Sequence, residues 1–322
     1  MKAVSTLLTG ALVVGGLVAV TAPSQAALTT RCVGVAGAVT VPGDLVVPAD
    51  KSCMLDGTVI QGNVRVQSGA DLIITGGTIE GNLVAQADAY VDAEDTSVGG
   101  NVVSRGSYGV FLTGAEVAGN LNSPADVTRG GFLLADRTGI AGNVNDRSGT
   151  TLLLSSTVGK QVTGNGNVAT DLDDTVVEGR LTVTGTEQGS LLCDSEVHGK
   201  ATYLDNADAV QIGGTAPWTS CAGSAYFGGD LSIDSTTGGV HLVDAIVRGD
   251  LSGDGNSPSP VGSGNRVRGE ISGQFADLTP ASAARFGARA QVEDRFSQAR
   301  AAAEARTQSA EVEAVEAGPA RL

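Results

Sequence analysis

The chain repeats one short phrase at a nearly fixed spacing. The phrase is an apolar residue, any residue, a glycine, an asparagine or aspartate and a second apolar residue, and four copies centred on Gly62, Gly81, Gly100 and Gly119 are each 19 residues apart. The other copies are centred on Gly43, Gly142, Lys160, Gly179, Gly199, Gly229, Gly249 and Gly269. A period near 20 over about twelve copies is typical of a solenoid, whose coils bury an apolar face only by stacking.

The residues between the glycines indicate strands. Counted from each repeat glycine, positions −9 and −7 carry no charge, as in Leu72 and Ile74, and positions −2 and +2 are apolar in nearly every copy. Alternate residues of a strand face the same way, so we expect these rows to point inward from at least two short strands per coil. A left-handed helix of six-residue sides fits a 19-residue period poorly. The sequence therefore predicts an all-β, right-handed parallel β-helix of about twelve 19–20-residue coils, roughly 55–60 Å long.

Two residues of the phrase have predicted structural roles. The glycine suits a corner that needs either a positive φ or a close approach of two backbones. The asparagines that follow it stack one per coil, and we expect them to form hydrogen bonds from coil to coil rather than a ligand site. These asparagines are Asn63, Asn82, Asn101, Asn120 and Asn143.

The recurring phrase resembles the repeat of the bactofilins, a family of polymer-forming cytoskeletal β-helix proteins, and more distantly that of the pectate-lyase-like β-helix group. The resemblance covers residues 41–271. It implies a right-handed parallel β-helix and, for a bactofilin, no cofactor and no catalytic site. The chain departs from the bactofilin pattern in its N-terminal segment, its slightly longer coil, its cysteines and its C-terminal tail.

Three segments are predicted. Lys2, an apolar run over 7–20 and the small residues around Ala26 indicate a secretory signal peptide over 1–26. Residues 27–279 form the β-helix domain. Residues 280–322 are rich in Ala, Glu, Arg and Gln and predict a helical tail, with Thr279 as N-cap and Pro280 at its first position.

Export makes the four cysteines candidates for disulfide bonds, since oxidising compartments allow such bonds. Cys32 and Cys53 are about one repeat apart, and Cys193 and Cys221 flank the longest step between repeat glycines. We expect the pairs 32–53 and 193–221, one of three pairings that four cysteines allow. The rival interpretation, a metal site, lacks the usual Cys-x-x-Cys spacing.

The charge distribution restricts the partners. Residues 27–280 hold 13 basic and 29 acidic side chains, whereas the tail is neutral. An acidic body argues against nucleic acid, which needs clustered basic residues. We expect no cofactor, no metal and no transmembrane segment in the mature chain. Self-association or a place in the cell envelope remain as interactions outside the cell.

One set of residues is similar to the catalytic motifs of β-helix polygalacturonases. It comprises Asp173, Asp174, His198, and Arg268 with its neighbour Arg266. An inverting glycosidase needs two carboxylates on one face, about 6.5–9.5 Å apart. The repeat positions place the aspartates and His198 on different sides of the coil, and His198 and Arg268 three coils apart. We therefore predict no catalytic site and keep this set as the alternative.

The sequence contains two further candidate ligand sites. Sugar-binding sites commonly present aromatic side chains, and Tyr203, Trp218 and Tyr226 all fall near the long step. Asp92, Glu94 and Asp95 form an acidic cluster that Ca²⁺ could occupy, although a solvated turn is the simpler interpretation.

Position −8 lies between the two inward rows and should face outward. It is interrupted by Asp92, Asp171 and His241 but otherwise carries the interface stripe of Met54, Ile73, Phe111, Leu134, Leu152 and Leu191. An apolar stripe on a protein surface usually marks an interaction. We expect either the helical tail or a second copy to cover it.

The sequence as a whole favours a secreted, non-enzymatic β-helix with a structural or surface-interaction role. The alternative is a carbohydrate-active or carbohydrate-binding extracellular β-helix.

Overall fold

The structure, a computed structural model, describes residues 29–125, 130–215, 219–280 and 295–322. Within these ranges the chain forms twelve coils, here numbered 1 to 12 along the chain. Each coil contributes one strand to each of three parallel sheets, A, B and C, in that order. The predicted parallel β-solenoid of about twelve coils is confirmed. Its third side per coil was not predicted. The predicted signal peptide lies outside the described residues.

The strands of each sheet pair only with those of the neighbouring coils. Sheet A consists of Thr29–Arg31, Asp44–Val47, Val64–Val66, Leu83–Ala85, Val102–Ser104, Leu121–Ser123, Val144–Asp146, Val162–Asn165, Leu181–Thr184, Ala201–Leu204, Leu231–Asp234 and Leu251–Ser252. Sheet B consists of Gly34–Ala36, Ser52–Asp56, Asp71–Thr75, Tyr90–Glu94, Gly109–Thr113, Phe132–Asp136, Thr150–Leu154, Ala169–Asp173, Ser190–Cys193, Val210–Ile212, Val240–Val243 and Val261–Ser263. Sheet C consists of Thr40–Val41, Val59–Ile60, Thr78–Ile79, Ser97–Val98, Glu116–Val117, Gly139–Ile140, Thr157–Val158, Val176–Val177, Glu196–Val197, Tyr226–Phe227, Ile246–Val247 and Arg266–Val267.

The core fills the space between the three sheets. In coil 3, Leu72 and Ile74 of sheet B, Ile79 of sheet C and Leu83 of the following sheet A strand are all fully buried in one cluster. In most other coils the same positions belong to this cluster or are buried polar residues such as Thr151. The exceptions are Ser220 and Ala222 in the inserted segment and Ile271 after the last repeat glycine, which are exposed. The inward rows at −9, −7, −2 and +2 are therefore confirmed.

The repeat glycines lie at the corner between sheets C and A. A Cβ at Gly81 would lie 2.7 Å from the Gly62 carbonyl oxygen, and one at Gly100 would lie 2.7 Å from that of Gly81. Neither Gly81 nor Gly100 has a positive φ. Close backbone approach, the second of the two predicted reasons, is the one that applies, because each coil rests directly on the corner of the coil before it.

Positive φ occurs instead at position −5, at the corner between sheets B and C. Gly57 and Gly76 have φ of 65° and 60° there, and Asp95, Asp174 and Asp194 have φ of 46°, 48° and 48°. Glycine and aspartate tolerate the left-handed region best. Asp95, part of the predicted calcium cluster, thus has a conformational role.

The asparagine row forms the predicted ladder. The Oδ1 atom of Asn63 accepts hydrogen bonds from the backbone N–H and the side-chain amide of Asn82, at 3.0 and 2.9 Å. The same pair of bonds recurs at Asn101, Asn120 and Asn143. Asp44 begins the ladder by accepting from Asn63.

Both predicted disulfides are present, and among the described residues no cysteine is free. Cys32 is bonded to Cys53, and Cys193 to Cys221. The first bond joins coils 1 and 2, and the second joins coil 9 to the segment inserted within coil 10, between its strands of sheets B and C.

The C-terminal tail contains helix α1, Arg295–Ala317. The predicted helix start at Thr279 and Pro280 is wrong, because Thr279 pairs with Val261 in a short bridge and Pro280 is not helical. Residues 281–294 lie outside the described residues. Its 23 residues give α1 a length of about 34 Å at 1.5 Å per residue. Seven strand spacings, the distance from coil 8 to coil 1, also amount to about 34 Å. The helix runs back along sheet B over this distance.

The chain also covers both ends of the solenoid. At the coil 12 end, the 3₁₀ helix Gly273–Asp277 places Phe275 in the core. At the coil 1 end, the residues after α1 pair with the first strand of sheet B: the Val35 N–H donates to the Gly318 carbonyl at 2.9 Å, and the Ala320 N–H to the Val35 carbonyl at 2.8 Å. Exposed strand edges invite further pairing, and the two hydrogen bonds of Val35 cover the edge of the first sheet B strand.

Candidate functional site

The residues of the predicted catalytic alternative lie on two sheets. Asp173 ends the coil 8 strand of sheet B, and Asp174 follows it with φ of 48° and accepts a hydrogen bond from the Ser155 hydroxyl at 2.8 Å. His198 follows the coil 9 strand of sheet C, and the exposed Arg268 follows the coil 12 strand of the same sheet. Three strand spacings, about 14 Å, therefore separate His198 from Arg268 along the axis.

His198 is exposed and lies between two carboxylates. Its Nδ1 is 2.9 Å from Oε2 of Glu178, and its Nε2 is 3.2 Å from Oε2 of Glu196. The hydrogen bond to Glu178, and to a smaller extent the one to Glu196, raises the pKa of the imidazole above its usual value. The ring also meets Tyr226 edge to face, with centroids 6.3 Å apart. Both ring nitrogens of His198 are therefore engaged by side chains of its own sheet.

A buried carboxylate that the sequence did not single out lies inside the solenoid. Asp146 is fully buried, and its Oδ1 accepts the N–H groups of Ser148 and Gly149 at 3.1 and 3.0 Å. Its Oδ2 accepts from the Thr151 hydroxyl and the Asn167 amide, both at 3.0 Å. Four donors satisfy the carboxylate, which holds the corner of coil 7 together.

Of the three predicted aromatic sugar contacts, the two described ones lie in different surroundings. Tyr203 is wrong as a contact residue, because it is fully buried in the core on the inward row shared with Val183 and Ile233. Burial raises the pKa of its phenol well above the usual range. Tyr226 is half-buried on sheet C, and Trp218 lies outside the described residues.

Helix α1 covers the interface stripe on the outer face of sheet B. Its Phe296 and Ala299 pack with Leu134, Leu152 and Leu191. Further along, Ala303 and Ala310 pack with Ile73 and Tyr90, with Met54 and Phe111 at the margin. The stripe therefore faces outward from the solenoid core, as predicted, and the helical tail, one of its two predicted partners, covers it.

The charged residues of sheet B under α1 meet arginines of the helix. Arg306 Nε lies 2.8 Å from Oδ1 of Asp71, and Arg300 Nη2 lies 3.0 Å from Oδ2 of Asp136. Burial raises the pKa of Asp71 although Arg306 acts in the opposite direction. These pairs fix the position of a helix whose contact face otherwise consists mostly of alanine.

Hydroxyl groups add a second set of contacts beneath the middle of α1. The Thr307 hydroxyl donates to Oδ2 of Asp92 at 2.5 Å, and the Tyr90 hydroxyl donates to the Ala303 carbonyl at 3.2 Å. Burial raises the pKa of Asp92. Asp92 is thus part of the helix contact, whereas Glu94 of the same predicted acidic cluster is exposed.

A groove of 640 Å³ runs beside the first half of α1. The rings of Tyr108 and Phe132 line it and meet edge to face, with centroids 5.9 Å apart. Leu152 and Thr150 continue the same surface, and Ala299 belongs to the helical wall. The sequence reasoning missed this groove because it forms only where α1 lies against sheet B.

Comparison of the chain with protein-family models, with curated proteins and with solved structures finds no match in any of the three. The likeness to bactofilins stays a resemblance of repeat pattern. Among the described residues, no helix is long and apolar enough to span a bilayer.

Proposed function

We propose that this protein is an exported, non-enzymatic β-helix with a structural or surface-interaction role outside the cell. The observation that carries the proposal is the arrangement of the C-terminal tail. Helix α1 covers the apolar stripe of sheet B, and residues 318–320 pair with the first strand of that sheet. Because the tail covers the apolar stripe and one exposed strand edge, the rod is suited to remain a single molecule. The outer faces of sheets A and C stay available to partners.

Export is supported by the two disulfides and by the predicted signal peptide. Cys32–Cys53 holds coils 1 and 2 together, and Cys193–Cys221 fastens the segment inserted within coil 10 to coil 9. Disulfides form and persist in oxidising compartments. The bactofilin-like repeat supplies a model for the rod, whereas a cytoplasmic, polymer-forming role fits the disulfides and the covered ends poorly.

A non-enzymatic role is supported by the surroundings of the catalytic alternative. Asp174 follows a strand of sheet B and His198 follows a strand of sheet C, and Glu178 and Glu196 engage both nitrogens of His198. A glycosidase pair needs two carboxylates facing one bond of the substrate. Glu178 and Glu196 instead flank an imidazole.

The proposal is tested on the protein secreted by its native signal. We expect an N-terminus at Ala27, no free thiols, a single monomeric species by light scattering and no new reducing ends from cell-wall or plant polysaccharides. Retention of the protein in the cytoplasm, free thiols in the secreted form, or release of sugar fragments by the purified protein would each contradict it.

Carbohydrate binding is the second candidate function. The observation that favours it is the groove beside α1, whose lining includes the half-buried rings of Tyr108 and Phe132. Aromatic surfaces with a few polar groups at their edge are typical of ligand sites.

A further inference from the structure

The groove beside α1 has the dimensions of a binding site for an extended molecule. Its lining runs from Asp88, before the coil 4 strand of sheet B, to Gln188, before the coil 9 strand. Five strand spacings make it about 24 Å long. Its volume of 640 Å³ lies within the usual range of ligand sites.

The side chains at position −10 of sheet B differ between the coils under the two halves of α1. In coils 2 to 4 this position holds Ser52, Asp71 and Tyr90, whose side chains reach the second half of α1. In coils 5 to 8 it holds Gly109, Phe132, Thr150 and Ala169, of which Phe132 and Thr150 line the groove. The groove therefore lies beside Arg295 and Ala299, over the coils whose residues at this position form no such hydrogen bond with the second half of α1.

Two classes of extended polymer suit this groove poorly. A peptide strand needs an unpaired strand edge, and every sheet B strand from coil 4 to coil 9 is paired on both sides. An anionic polymer meets Asp88 at the rim and a chain of net charge −15. Arg295, the cation at the far end, is already neutralised by Asp171.

A neutral glycan suits it on both counts. The C–H faces of sugar rings are apolar and can lie on aromatic rings such as those of Tyr108 and Phe132, while their hydroxyl edges need hydrogen-bonding groups. Asp88, Thr150 and Gln188 place such groups along the rim. We propose that the groove binds a short, neutral glycan chain parallel to the rod axis.

This inference rests on the proposed surface-interaction role and names the partner class for it. The test uses the full mature protein and three probes: the neutral six-sugar oligomers of β-1,4-linked glucose, mannose and N-acetylglucosamine. Titration calorimetry measures binding, and chromatography of the same samples measures cleavage. Cleavage would overturn the non-enzymatic role, whereas failure to bind would overturn only the groove.

A matched pair of substitutions in coil 7 locates the site. Thr150→Trp fills the groove, and Thr157→Trp adds the same bulk to the exposed face of sheet C. We expect the first to weaken binding by at least about tenfold and the second to leave it unchanged. Equal affinity of both variants, or no binding of any probe by the parent at millimolar concentration, overturns the proposal.

A second variant keeps the test decisive should Thr150→Trp not fold. The Gln188 side chain is exposed, whereas only its backbone carbonyl bonds to Arg295, at 2.9 Å. Gln188→Ala therefore leaves the helix contact in place and removes one group of the rim. We expect affinity to fall about threefold, the effect of one hydrogen bond. Unchanged affinity in this variant overturns the proposal as well.

Discussion

The guanidinium of Arg295 binds the carboxylate of Asp171 at two points, with Nε 2.6 Å from Oδ2 and Nη2 2.7 Å from Oδ1. The Asp171 side chain is 1% exposed, and the two residues are 124 positions apart in the chain. This contact fixes the first turn of α1 over coil 8. Planar, two-point contacts of this kind are the strong form of an ion pair.

Arg295→Met should strongly weaken the contact between α1 and coil 8, because it leaves Asp171 buried without a countercharge. Breaking a buried pair costs about 3–5 kcal/mol, and release of the helix end would lower that figure. Asp171→Asn in the same background removes the charge but keeps the acceptor for the Leu191 N–H. We expect the double variant to recover most of the loss in chemical unfolding. A single variant as stable as its parent would show that the pair does not hold the helix.

Removal of residues 280–322 should convert the rod into an associating species. The deletion uncovers Leu134, Leu152 and Leu191, which α1 now buries to 1%, 0% and 7% exposure. Large exposed apolar patches drive association, so light scattering should show dimers or larger species. Deletion of 318–322 alone serves as the control, since it opens the coil 1 end but leaves α1. A truncated rod that stays monomeric and binds no apolar dye would contradict the role assigned to the stripe.

The fold was predictable because its signals are local and repeated. The spacing of Gly62, Gly81 and Gly100 gives the coil length, and uncharged rows such as Leu72 and Ile74 give the inward face. The third sheet escaped prediction because its strands contain only two residues, too few for alternation to be seen. The left-handed corner at position −5 is marked in the sequence, because this position holds glycine or aspartate in most copies, as in Gly76 and Asp95. This pattern did not enter the prediction.

The helix contact was only partly predictable. The outward direction of the stripe follows from alternation, but the partner surface of α1 consists of alanines such as Ala303 and of arginines, which give no apolar periodicity. Asp71 pairs with Arg306 and Asp171 with Arg295, and the partners of each pair are more than 100 residues apart in the sequence. The groove depends on that docking and on side-chain sizes in several coils, so no local pattern marks it.

Two neighbouring substitutions test the register of sheet B. Leu112 is fully buried in the solenoid core, whereas Phe111 points to the opposite face under α1. Leu112→Asp buries a charge with no partner and should cost several kcal/mol, enough to unfold the rod. Phe111→Asp should weaken only the contact between α1 and sheet B. The strand signal in circular dichroism should stay intact. Native-like melting of the Leu112 variant would contradict the inward rows.

His241 should make the rod less stable in acid. It lies on sheet B in register with Gln211, is 1% exposed, and burial lowers its pKa from 6.5 to about 4. Between these values the unfolded chain binds a proton that the folded chain does not, so the free energy of unfolding falls as the pH falls. The loss is complete near pH 4 and amounts to about 3 kcal/mol.

His241→Gln isolates this effect, because Gln211 shows that a glutamine fits the same row one coil earlier. Asp71 and Asp92 act with the opposite sign, since a raised carboxyl pKa favours the folded state in acid. Their contribution is common to both proteins and cancels in the difference. We expect urea unfolding to give similar stability for parent and variant at neutral pH, and a more stable variant at pH 4. An equal loss of stability in both proteins on acidification would show that His241 is not held neutral by burial.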